Sequence, residues 1–182
     1  NHQARIVEQA LRKEKIPYVL SGGQSFFERA EIRDLLAYLR LLANDDDDPA
    51  FIRAVTTPKR GVGTTTLTAL GTYAGERHQS MFATMFELGC EQRIAPRQLE
   101  PLREFGEFVN RIAWRAQREP AAQVLDDLLS AIDYRGHLFA TADDKVAAGR
   151  WQNVSDFVAW LKKRAEEEGS TLLQLAQTVS LL

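Results

Sequence analysis

A single cysteine, Cys90, rules out any disulfide within the 182 residues and fits a reducing, cytoplasmic setting. It sits in Leu88-Gly89-Cys90-Glu91 with no histidine beside it, so it reads as a packing residue rather than a nucleophile. His2, His78 and His137 are scattered, with no second ligand at metal spacing. No apolar run reaches membrane length, which argues against a membrane partner, and no signal-peptide pattern is found. A Gly-x-x-x-x-Gly-Lys-Ser/Thr loop is missing, so the chain cannot cradle a triphosphate in that way. There is no Asp-Glu dipeptide to hold magnesium and no Gly-x-Ser-x-Gly elbow. A net charge of −2 excludes a uniformly basic coat, so any contact with nucleic acid has to come from a local patch. The residues as they stand predict no catalysis and no bound cofactor or metal.

What is present reads as mainly α. The chain begins at Asn1 without Met and enters a helical pattern at once, the expectation being an excised piece of something larger. Ala4 to Glu14 reads as a helix ended by Pro17, and Tyr18-Val19-Leu20 as a short strand closed by Gly22-Gly23. One strand cannot make a sheet, so this opening reads as a remnant of an α/β unit. Ile32, Leu35, Leu36, Leu39 and Leu42 then mark an apolar stripe on a helix from about Ala30 to Ala43. Asp45 to Asp48 reads as a solvated loop, with Asp48 capping a helix opened by Pro49. Ser80 is expected to cap Met81 to Leu88, stopped by Gly89. Pro96 opens a long helix with Leu99, Leu102, Phe105, Val109, Ile112 and Ala116 inward. Asp144 is expected to cap a helix carrying Val146, Trp151, Val154, Phe157, Val158 and Leu161, with Gly169 at its end and Ser170 capping a last stretch. Trp114, Trp151 and Trp160 read as core or domain-contact residues.

The chemistry concentrates in Thr57-Pro58-Lys59-Arg60-Gly61-Val62-Gly63-Thr64. Two glycines around one apolar residue permit a tight turn between helices and the close approach of a ligand. Thr64 is a suitable N-cap for the following helix. A helix start carries free N–H groups and partial positive charge, and Lys59 and Arg60 stand just before it. Such a corner suits a nucleic-acid backbone held without reading sequence, or else is a plain turn between helices. Gly61-Val62-Gly63 is also similar to the hairpin of helix-hairpin-helix DNA glycosylases, but no aspartate lies between Gly63 and Asp126 to serve as their catalytic acid.

Several segments in order carry a resemblance: Asn1-His2-Gln3-Ala4-Arg5, Ser21-Gly22-Gly23-Gln24-Ser25-Phe26-Phe27-Glu28-Arg29, Glu31-Ile32-Arg33-Asp34-Leu35-Leu36-Ala37-Tyr38-Leu39-Arg40, the Asn44–Asp48 loop and the Gly61-Val62-Gly63 corner. The sequence resembles superfamily 1 DNA helicases of the UvrD/Rep/PcrA type, with details leaning to the Rep subgroup. In that family two RecA-like motor domains hydrolyse ATP, with Mg2+, and move 3′ to 5′ along single-stranded DNA. A helical subdomain, 2B, is inserted in the second motor domain, 2A. The resemblance implies that residues 1–29 are a remnant of 2A and residues 30–182 are a helical 2B subdomain.

It further implies that ATP and Mg2+ are bound by other parts of a full-length helicase, and that this chain alone is catalytically inactive. Duplex and single-stranded DNA are the implied partners, with a replicative helicase or another replication protein as a further one. Asn1 would lie near the single-strand track, and Lys59, Arg60, Gly61, Val62, Gly63 and Thr64 would touch the duplex. Gly22, Gly23, Glu28 and Arg29 would belong to the hinge between 2A and 2B. A 2B-like region of a RecB/AddA-type helicase-nuclease and a helical protein-interaction module remain as alternatives.

Overall fold

A computed structural model describes residues 25–181. The expected helix Ala4–Glu14, the strand Tyr18–Leu20, and the positions Asn1, Gly22 and Gly23 lie outside the described residues. Within them all regular structure is helical: α1 (Ala30–Ala43), α2 (Asp48–Thr56), α3 (Thr64–Arg77), α4 (Met81–Thr84), α5 (Pro96–Ala116), α6 (Ala121–Ala131), α7 (Tyr134–Thr141), α8 (Asp144–Glu168) and α9 (Leu172–Val179). Short 3-10 turns stand at Phe26–Glu28 and Leu88–Gln92.

The first helix, α1, is the hub. Its predicted stripe is buried, but so are Ala37, Tyr38 and Leu41 on other sides, because α2, α5, α8 and α9 all pack on it. A helix buried nearly all round tolerates polar groups only when they are paired. The Asp34 carboxylate accepts from Arg53 Nε at 2.9 Å and from the Tyr134 hydroxyl at 2.7 Å, and Glu31 accepts from Asn153 Nδ2 at 2.8 Å. Burial, with the adjacent Asp34 charge, holds the Tyr134 phenol far above its usual range, so it stays a proton donor. These bonds tie α1 to α2, α7 and α8, and they give the Glu31–Asp34 pair of the sequence motif a structural task.

Helix ends depart from the sequence reading by one residue in several places. Asp47, not Asp48, caps α2: its Oδ1 accepts from Ala50 N while its Oδ2 is held by Arg40 Nε at 3.0 Å. Asp48 is already helical, and its carboxylate instead accepts from Met81 N at 2.9 Å, bracing α2 to α4. Asp143 rather than Asp144 caps α8, and Thr171 rather than Ser170 caps α9, in a reciprocal capping box with Gln174. Ser80 does cap α4, but that helix ends at Thr84, and Gly89 lies within a 3-10 turn rather than stopping a helix. At Asp47-Asp48, tertiary partners accompany the choice of which member takes the cap. Gly169 ends α8 as expected, in the left-handed region at φ 64°.

The inward face predicted for α5 is buried throughout, from Leu99 to Ala116. Cys90 is buried too: burial pushes its thiol up, and Sγ donates to the Thr84 carbonyl at 3.0 Å. Val146 is on the outside of α8, and Trp114 is exposed, which sets aside its core reading but not its domain-contact reading. Helix α7, which the sequence reading did not include, starts from Asp133 in the left-handed region (φ 48°), whose side chain accepts from Gly136 N.

Candidate nucleic-acid interface

The corner between α2 and α3 stands on a buried tyrosine. Tyr38 on α1 reaches the end of α2, where its hydroxyl lies 3.0 Å from the Ala54 carbonyl and 2.7 Å from the Thr57 carbonyl. Arg60 turns back over the same point. Its Nη2 donates to the Tyr38 oxygen at 2.8 Å, its Nη1 donates to Ala54 O, and its guanidinium lies 4.5 Å from the centre of the Phe105 ring. Burial raises the Tyr38 phenol, with the Arg60 charge opposing that rise. The chain passes through a cis Thr57–Pro58 peptide just before this clamp.

Arg60 therefore differs from its expected role as an outward cation. Three interactions commit it to fixing the corner, because the carbonyls at the end of α2 need donors. Lys59, its neighbour, is exposed and supplies the outward charge. A groove of about 320 Å³ runs beside it, lined among others by Pro58, Lys59, Glu104, Phe108 and Ile132, so one carboxylate shares this side with the lysine.

Past the clamp the chain turns through Gly61 at φ 81°, a conformation that only glycine takes without strain. Gly61→Ala is expected to cost about 1–2 kcal/mol, read as a lowered thermal midpoint. Val62 tucks partly against the core, while Gly61, Gly63, Thr64 and Thr65 are exposed. The N-cap of α3 is Gly63 (φ −104°, ψ 177°), not Thr64, which is the first helical residue. This correction has a chemical consequence. A threonine cap would place its own oxygen on the first-turn amides; glycine places nothing there. Among the described residues no acceptor faces the amides of Val62, Gly63, Thr64 or Thr65, and a side chain built at Gly63 would meet nothing within 4 Å.

The arrangement is thus an open set of N–H donors at a helix start, with a lysine beside it and a backbone fixed from below. It can accept one oxyanion group through backbone donors, without reading a base edge. Thr65 was missed in the sequence; its exposed hydroxyl joins the same first turn, and the run Thr64-Thr65-Thr66, poor in helix propensity, was the available signal. Of the expected hinge residues, Glu28 lies in the 3-10 turn before α1 and Arg29 is the N-cap of α1. Among the described residues no group of three or more His, Cys, Asp or Glu side chains could hold a metal ion. The sequence holds no Gly-x-x-x-x-Gly-Lys-Ser/Thr loop.

Over residues 1–182 the sequence matches the UvrD-like helicase C-terminal domain. It is 43% identical over 186 residues to the ATP-dependent DNA helicase Rep of Escherichia coli (strain K12), covering 100% of this chain and 28% of that protein. Against the ATP-dependent DNA helicase Rep of Salmonella typhimurium (strain LT2) the identity is 42% over 186 residues, covering 100% and 27%. The ATP-dependent DNA helicase PcrA of Bacillus subtilis (strain 168) is 30% identical over 183 residues, covering 100% and 24%. The chain spans about a quarter of the length of these relatives.

Proposed function

The chain belongs to the UvrD-like helicase C-terminal domain family, and from that premise we propose that it is the accessory 2B subdomain, with a flank of 2A, of a Rep-like ATP-dependent 3′–5′ DNA helicase. Residues 1–29 would be the motor flank and residues 30–182 the helical arm. The arm holds duplex DNA ahead of the motor, and its swing at Gly22, Gly23, Glu28 and Arg29 gates unwinding. ATP and Mg2+ act in motor segments other than the residues described above, and no step in this arm passes through them. Asn1 contacts the single strand, and a replicative helicase or another replication protein can bias the swing.

The open amides of the α3 start beside Lys59 are the observation that carries this reading. A sequence-independent grip is what a moving helicase needs, since the duplex ahead changes with each step. Arg60, Tyr38 and Phe105 keep the donors in place before DNA arrives, so little ordering entropy is lost on binding. Lys59→Ala is expected to weaken binding of a blunt duplex and to flatten the plot of log affinity against log salt by about 0.9, with an unchanged melting temperature. Fluorescence anisotropy at several salt concentrations measures both, and an unaltered slope would remove Lys59 from the contact.

A further inference from the structure

Trp114 stands near the far end of α5, well along the helix from Phe105 at the corner. It is 56% exposed, whereas Trp160 is buried. The indole is not bare on both sides. Arg118, just past the helix end, folds back with its guanidinium carbon 4.4 Å from the ring centre and donates through Nη1 to the Trp114 carbonyl at 3.0 Å. Arg111 is one turn earlier on the same helix face and is also exposed.

The local charges sharpen the picture. Arg115, between these residues in sequence, is neutralised by Glu119 and Asp127. Among the described residues neither Arg111 nor Arg118 has a carboxylate within ion-pair distance, and exposed Glu107, one turn before Arg111, makes no ion pair with it. In a chain of net charge −2, two arginines without an ion pair thus flank an exposed aromatic ring, with Glu107 the exposed carboxylate one turn before Arg111.

We propose that this face binds single-stranded DNA, with an unpaired base stacking on the open side of Trp114 and neighbouring phosphates meeting Arg111 and Arg118. Unpaired bases offer free ring faces along the strand, whereas a duplex offers one only at each end, and stacking tolerates any base. An acidic peptide would satisfy the two arginines but leave the indole uncovered. The proposal rests on the DNA-handling role given above, but on a surface separate from the corner, so the two can fail independently.

The test titrates the 182-residue chain with an oligodeoxythymidylate of about 15 nucleotides while following tryptophan emission. Trp114→Ala removes an exposed ring and leaves the core untouched. The oligonucleotide is expected to quench the parent chain's emission. Trp114→Ala should lose that quench and bind at least about fivefold more weakly. Arg111→Ala and Arg118→Ala should each reduce the salt slope by about 0.7. Equal affinity of the parent chain and Trp114→Ala would overturn the proposal. So would quenching by polyglutamate at the same concentrations, which would assign the face to an acidic protein segment. Blunt-duplex binding, lowered by Lys59→Ala but not by Trp114→Ala, reports on the corner separately.

Discussion

Gly63→Asp is expected to make the chain more stable and, at the same time, a much poorer ligand for duplex DNA. The backbone at Gly63 is already in the extended conformation of an N-cap, and no protein atom lies within 4 Å of where a side chain would begin. An aspartate there can accept from the first-turn amides of α3 and set its charge against the helix dipole, worth about 0.5–1 kcal/mol. For a chain of this size that is a rise in melting temperature of roughly 1–4 °C. The same carboxylate occupies the donors proposed to hold a phosphate and repels it, so affinity for a blunt duplex should fall on the order of tenfold or more. Most mutations that damage binding also damage folding; here the two move in opposite directions. A stabilised variant that binds DNA as well as the parent would show that the helix start is only a corner.

Arg60→Ala should have the largest effect on folding among changes at the corner. The guanidinium is the donor to the Tyr38 oxygen, a further donor to Ala54 O, and the cation over Phe105. Truncating it takes charged donors from two part-buried oxygens and leaves space against an aromatic wall, for a loss of about 2–3 kcal/mol. The expected fall in melting temperature is roughly 5–10 °C. Lys59→Ala, one residue earlier, should leave the midpoint where it was. Adjacent cations therefore separate by readout: Lys59 through DNA affinity and its salt dependence, Arg60 first through stability. Equal stability of the two variants would contradict the clamp.

This division was not legible from Lys59-Arg60 alone, because nothing local says which cation turns inward. The deciding residues, Tyr38 and Phe105, are distant in sequence and come together only through the packing of α1, α2 and α5. The helical character and the inward face of α5 were legible, since apolar spacing alone sets them. Of the two readings of Trp114, core and domain contact, its exposure removes the first: a large aromatic beside a clean apolar pattern looks like core until the helix is rotated into place. Cap positions slipped by one residue where polar residues adjoin, as at Asp47-Asp48 and Asp143-Asp144; in the first pair Arg40 holds the Asp47 carboxylate while the start of α4 takes that of Asp48. The glycine cap at Gly63 was hidden by a better-looking threonine next to it. It shows only in the backbone angles, and it is what leaves the amides open.

Amide-resolved nuclear magnetic resonance during titration with a short blunt duplex bears most directly on where the backbone of DNA rests. Large, salt-sensitive shifts should be concentrated at Val62, Gly63, Thr64 and Thr65, accompanied by Lys59, with the interior of α1 unmoved. If these amides stay still at saturation while signals elsewhere on the helical surface respond, the duplex is held somewhere else and the α3 start has no part in gripping it.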